Sequence, residues 1–108
     1  MKERRLAKRA KTSLEAYYWD SSAPTLLIKR ARVVDLSLGG CCLLLSQEET
    51  FNLGNKIKLS IRLDDDKRTK IERDASVCNI KGNYVNCIFA PRLHGSEPEL
   101  IAYINAHS

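Results

Sequence analysis

Two short clusters in this sequence hold the residues suited to chemistry. The first is Arg4-Arg5-Leu6-Ala7-Lys8-Arg9, near the N-terminus. Arg5 and Arg9 stand four apart, so one helical turn puts them on one face, able to clamp a single object between them. An arginine fork is bidentate to the O6 and N7 acceptors of guanine, pairs with phosphate, and stacks on a base face. The second cluster is Asp35-Leu36-Ser37-Leu38-Gly39-Gly40. Asp35 offers the complement, a carboxylate that accepts from the N1 and exocyclic N2 donors of guanine. The Ser37 hydroxyl can add one bond, and Gly39 and Gly40 let backbone N–H groups come close to a phosphate or base. Together the parts read as a binder of guanine plus phosphate. Neither cluster sets a base beside a nucleophile, so no enzyme is expected.

The charge distribution agrees with a small anionic ligand. Residues 1–11 hold six basic side chains against Glu3 alone, while the other 97 residues carry 12 basic and 12 acidic groups. The net charge of +5 therefore sits in the N-terminal arm. A general nucleic-acid binder carries a basic face on its folded body as well, and Asp35 would repel a phosphate backbone. Nucleic acid is therefore not an expected partner. The longest apolar runs are far too short to span a bilayer, and the first eleven residues carry no apolar stretch of a secretory signal, so the expected location is cytoplasmic, without membrane insertion.

The 108 residues, 44% of them hydrophobic, are enough for one compact domain. Residues 1–11 read as a flexible basic arm and 12–108 as the folded body. From Leu14, alternation with Ala16 and Tyr18 predicts a first strand. Leu26 to Val34 predicts a second, with Ile28, Arg30, Arg32 and Val34 on one face; Arg30 and Arg32 there are either solvated or within reach of the ligand. Cys41–Leu45 is a short apolar strand, and Lys56–Leu63 alternates Ile57, Leu59, Ile61 and Leu63 against polar residues, the clearest half-buried strand. Asp64-Asp65-Asp66 marks a solvated hairpin loop. Thr69 to Ile80 predicts a long strand bulged near Asp74, and the Gly82-Asn83 turn pairs it with Tyr84–Ala90. Ser96-Glu97-Pro98-Glu99 fits a capping box, and Leu100, Ile101 and Ile104 then recur at helical spacing. Six or so short antiparallel strands followed by one helix favour a barrel, because closure removes exposed edges. Trp19, Tyr17 and Tyr18 are expected to pack rather than to stack on a base.

Cys41, Cys42, Cys78 and Cys87 form no C-x-x-C pair, and the spacings of a structural zinc site are missing, so no metal and no cofactor are expected. The cysteines read as reduced small hydrophobes. Cys41 and Cys42, being adjacent on a strand, point to opposite faces.

Arg5-x-x-x-Arg9 followed by Asp35-x-Ser37-x-x-Gly40 resembles the two signature motifs of the PilZ domain family, bacterial receptors for cyclic di-GMP. The resemblance runs on through Cys41–Leu45, Gly54 before the Lys56–Leu63 strand, Val85-Asn86-Cys87-Ile88-Phe89 and the closing helix. It implies a mainly β fold, a six-stranded antiparallel β-barrel with a C-terminal α-helix. It implies that Arg5 and Arg9 take guanine edges and phosphates, while Asp35, Ser37 and Gly40 hold a guanine from the barrel side. The arm would order over the barrel when ligand arrives and change a surface offered to a downstream protein. Arg4, a basic residue directly before the first motif, goes in this family with an intercalated ligand dimer, whose four negative charges the arm would match. The alternatives are a PilZ-fold adaptor that binds only proteins and, behind it, a nucleic-acid binder. The polar Ala10-Lys11-Thr12-Ser13 departs from the family's usual lead into the first strand, which leaves the start of that strand open.

Overall fold

The computed structural model describes residues 9–20, 27–46, 51–90 and 98–107. Six strands and one helix follow in order: β1 (Arg9–Trp19), β2 (Lys29–Ser37), β3 (Gly40–Leu45), β4 (Lys56–Arg62), β5 (Lys70–Lys81), β6 (Tyr84–Phe89) and α1 (Pro98–His107). All pairings are antiparallel, and the strands close into a barrel in the order β1-β2-β3-β6-β5-β4. Closure gives every strand a neighbour on both sides along at least part of its length, which an open sheet cannot do for its edge strands.

Alternation fills the barrel. Leu14, Ala16 and Tyr18 of β1 meet Ile57, Leu59 and Ile61 of β4, and Leu43, Val77 and Val85 complete the interior. One inward position of β5 belongs to Arg73, whose guanidinium lies 5.7 Å from the centre of the Phe89 ring. Helix α1 buries Leu100, Tyr103 and Ile104 against this core. Tyr103 therefore joins the expected stripe and Ile101 lies only half-buried at its margin. Burial, with Asp64 beside it, pushes the Tyr103 hydroxyl above the ordinary tyrosine range. The Ser96-Glu97 half of the expected capping box lies outside the described residues; Pro98 opens the helix as described, a place where its missing N–H costs nothing.

The turns follow from their residues. Gly54 sits third in the Asn52–Asn55 turn with φ of 88°, as a type II turn requires. Gly82, with φ of 62°, opens the two-residue β5–β6 hairpin. In the β4–β5 loop Asp65 accepts from both the amide and the hydroxyl of Thr69, at 2.8 and 2.6 Å. That carboxylate shapes its own loop, as the solvated-loop expectation for Asp64–Asp66 has it.

Three strand expectations shift. β2 runs Lys29–Ser37 rather than Leu26–Val34, because Leu27 and Ile28 are exposed outside the strand while Asp35, Leu36 and Ser37 pair within the sheet. β1 begins at Arg9 rather than near Leu14, so Arg9, Ala10 and Lys11 are strand residues paired with Ser37, Leu36 and Asp35. The pattern hid this because the β1–β2 register slips between Lys11 and Leu14, breaking the alternation there. The bulge in β5 lies at Cys78, between Val77 and Asn79, and not near Asp74. Asp74 is an ordinary outward residue opposite Lys58, whose ammonium it meets at 2.7 Å.

Candidate functional site

A bulge decides where Asp35 points. In β2 Ala31 and Val33 face inward, and strict alternation would send Asp35 into the core after them. The β2–β3 register slips between Val33 and Asp35, so Val34 is an extra residue and the phase reverses. Leu36 takes the buried position, and Asp35 and Ser37 turn outward. A carboxylate that alternation would bury is thereby delivered to the surface beside the β2–β3 turn.

Arg9 meets it there. Its Nη1 donates to Asp35 Oδ2 at 2.9 Å, with the arginine side chain 60% exposed and the aspartate 20%. So exposed a pair adds little stability. The other carboxylate oxygen, Oδ1, is buried and has no hydrogen-bond partner among the described residues. A buried acceptor left unmade costs about 1–3 kcal/mol, so a ligand bringing N–H donors would recover that penalty.

Ser37 and the glycines shape the turn. The Ser37 hydroxyl donates to the Gly40 carbonyl at 3.2 Å and accepts from the Gly39 amide at 3.3 Å. That leaves one Ser37 lone pair unused among the described residues. Gly40 lies against β6: a Cβ there would run into the Cys87 carbonyl oxygen. Gly39 has open space around it. Close strand approach by itself already requires glycine at position 40.

These residues line one cleft of about 270 Å³. Arg9, Asp35, Ser37 and the two glycines form one side of it. The other side is β5 and β6, with Cys78, Asn79 and Asn86. The registers explain the grouping, since Lys11, Asp35, Cys42, Asn86 and Asn79 are successive partners in one row across five strands. Of the residues singled out in the sequence, Arg9, Asp35, Ser37, Gly39 and Gly40 come together here. Arg4 and Arg5 lie outside the described residues. Arg30 and Arg32 are exposed away from the cleft, Arg30 over the Tyr17 ring at 6.0 Å and Arg32 bonded to the Ser13 carbonyl at 3.4 Å. Asn79 and Asn86 escaped the sequence reading because only strand pairing brings them beside the motif.

Three of the four cysteines, Cys41, Cys78 and Cys87, line the same cleft. Cys41 and Cys87 are direct cross-strand partners, both buried. The hydrogen bond between their thiols, with burial behind it, holds Cys41 well above the ordinary thiol range, and the same bond lowers Cys87. Burial, then the Asp35 charge, raises Cys42 on the opposite face. Among the described residues no group of His, Cys, Asp or Glu side chains could hold a metal ion, and no helix is long and apolar enough to cross a membrane.

With this geometry in place, the comparison with known families is direct: the sequence matches the PilZ domain over residues 3–106, nearly its full length. The chain belongs to the PilZ domain family. Its PilZ fold is shared with several solved structures. The Bacillus subtilis inhibitor of motility, MotI/DgrA, superposes with a TM-score of 0.76 at 19% identity over 96% of this chain, which spans 49% of that protein's chain. The PilZ domain of Escherichia coli YcgR, solved with c-di-GMP, gives 0.73 at 17% identity, covering 97% of this chain and 92% of that one. The PilZ domain of CeSA from a cellulose-synthesizing bacterium gives 0.64 at 13% identity, covering 92% and 93%. No curated protein matches the sequence. At these identities the structural likeness establishes the fold.

Proposed function

We propose that this PilZ domain is a receptor for cyclic di-GMP, binding at the Arg9–Asp35 cleft. The observation that carries the reading is the half-satisfied carboxylate: Asp35 Oδ2 is held by Arg9 while the buried Oδ1 has no partner among the described residues. A guanine edge with two adjacent donors fits such an acceptor. Membership of the PilZ family and the c-di-GMP in the related YcgR structure support the choice of ligand.

The mechanism exchanges partners. Without ligand the cation and the anion of the site neutralise one another. The arriving guanine takes Asp35 through N1 and N2, and Arg9 turns to a guanine acceptor edge or a phosphate. Arg5, and Arg4 before it, approach from the arm, so that the basic leader crosses the cleft and screens the phosphates. The arm's surplus positive charge suits two stacked ligands. Ordering the arm changes the surface offered to a downstream protein in the cytoplasm, and the work is recognition, not catalysis.

Calorimetry of the full chain with cyclic di-GMP, GMP and duplex DNA tests this. The expected result is selective binding of the cyclic dinucleotide, with about two ligands per chain if Arg4 acts as argued. Arg5→Ala, Arg9→Ala and Asp35→Ala each lose about 1–3 kcal/mol, the scale of a good bidentate base contact. Unchanged affinity in all three would reject the site, and heat from DNA alone would favour a nucleic-acid binder.

A further inference from the structure

Asparagine is depleted from strands, yet two asparagines face one another across β5 and β6 as the direct pair Asn79↔Asn86. Neither side chain makes a hydrogen bond among the described residues, and both line the cleft. The chain even departs from regular pairing to present one of them. Ile71, Arg73, Ala75 and Val77 face inward along β5, so alternation would bury Asn79 next. The extra residue Cys78 reverses the phase, turning Asn79 outward and Ile80 toward the core. Val34 does the same for Asp35 on the opposite side. Two bulges thus aim two polar side chains at one cleft, a use to which bulges beside binding sites are commonly put.

We infer that Asn86 and Asn79 are ligand-binding residues that read the acceptor edge of the guanine whose donor edge Asp35 holds. The inference rests on the function proposed above. Asp35 and Asn86 belong to one row, with only the Cys42 strand between them. Two strand spacings separate β2 from β6 by about 9.6 Å. That is room for a purine with a hydrogen bond at either side. The chemistry of the two walls is complementary. An ionised carboxylate only accepts, which suits N1–H and N2–H₂; a primary amide has two donors, which suits N7 and O6. Asn86 is the nearer reader, and Asn79, one strand further, supports it.

The test is titration calorimetry of the full chain with cyclic di-GMP and with its 7-deazaguanine analogue, which lacks the N7 acceptor. Asn86→Ala binds cyclic di-GMP roughly five- to tenfold more weakly, the worth of one net hydrogen bond at its upper end. Asn86→Asp binds more weakly still, because an acceptor then faces acceptors. The affinity gap between the two ligands in the unmodified chain narrows in Asn86→Ala. If the alanine variant fails to fold, Asn86→Ser and Asn79→Ala carry the same comparison. Binding like the unmodified chain in the Asn86 variants, or a gap that keeps its full size, would overturn the inference while leaving the receptor reading intact. An unmodified chain indifferent to cyclic di-GMP would overturn both.

Discussion

The adjacent glycines of the β2–β3 turn make opposite predictions. At Gly40 a Cβ would collide with the Cys87 carbonyl oxygen, and the Cys87 carbonyl carbon and Ile88 Cα stand only 3.2 and 3.3 Å from it. Every obstacle is main chain, so no rotamer change relieves it; β3 and β6 must separate at the Gly40↔Ile88 pair. Overpacking of this kind costs about 1–3 kcal/mol. Losing the glycine's freedom in the unfolded chain returns about 0.4–1 kcal/mol. Gly40→Ala therefore loses about 1–2 kcal/mol net, or roughly 5–10 °C in Tm for a domain of this size. Gly39 has nothing within 4 Å of its Cβ position and no left-handed φ. Gly39→Ala keeps only the favourable part and is neutral or stabilised by up to about 1 kcal/mol. Urea unfolding of the two variants side by side reads the difference directly, with m unchanged. Two variants within about 0.5 kcal/mol of each other, the scatter of surface substitutions, would refute the close strand approach as the reason for Gly40.

Three further expectations follow from other parts of the molecule. The Thr69 hydroxyl and amide bonds lower Asp65 below its ordinary 3.8, so the loop contact is present above that pH and is lost as pH falls through the depressed value. An NMR titration of the Asp65 carboxyl should show this, and Thr69→Val should bring the value back toward 3.8; an unchanged titration would contradict the assignment. Alkylation with iodoacetamide followed by mass spectrometry should label exposed Cys78 first and Cys41 last, since Cys41 is buried and donates to Cys87; early labelling of Cys41 would contradict its place in the interior. Asp35→Ala should not lower stability in urea unfolding and should raise it by up to about 1–3 kcal/mol, because it breaks a pair exposed on the arginine side and removes the buried, unpartnered Oδ1. A large loss there would make Asp35 a structural residue.

What the sequence revealed and what it concealed divide along register. The β4 alternation of Ile57, Leu59 and Ile61 is local, and so are the turn glycines Gly54 and Gly82; each could be placed without knowing its neighbours. The motif residues Asp35, Ser37 and Gly40 were legible as a group, with a resemblance that named their family. Their local duties were not. The outward aim of Asp35 depends on Val34 being surplus to the β3 pairing, and the need for glycine at 40 depends on a carbonyl 47 positions later. Asn79 and Asn86 stand beside Asp35 only through cross-strand pairing, Asn86 by way of Cys42 and Asn79 by way of the register slip at Cys78. Pairing across the sheet, which periodicity within one strand does not encode, separates the two sets.

The most direct test of the account follows the amide resonances of the isotope-labelled full chain as cyclic di-GMP is added. The account predicts saturable shifts at Arg9, Asp35, Ser37, Gly39 and Asn86, spreading into the arm around Arg5, with Tyr17 and Ser60 on the far face unmoved. No shifts at micromolar ligand, or shifts gathered on the β1–β4 face instead, would contradict it.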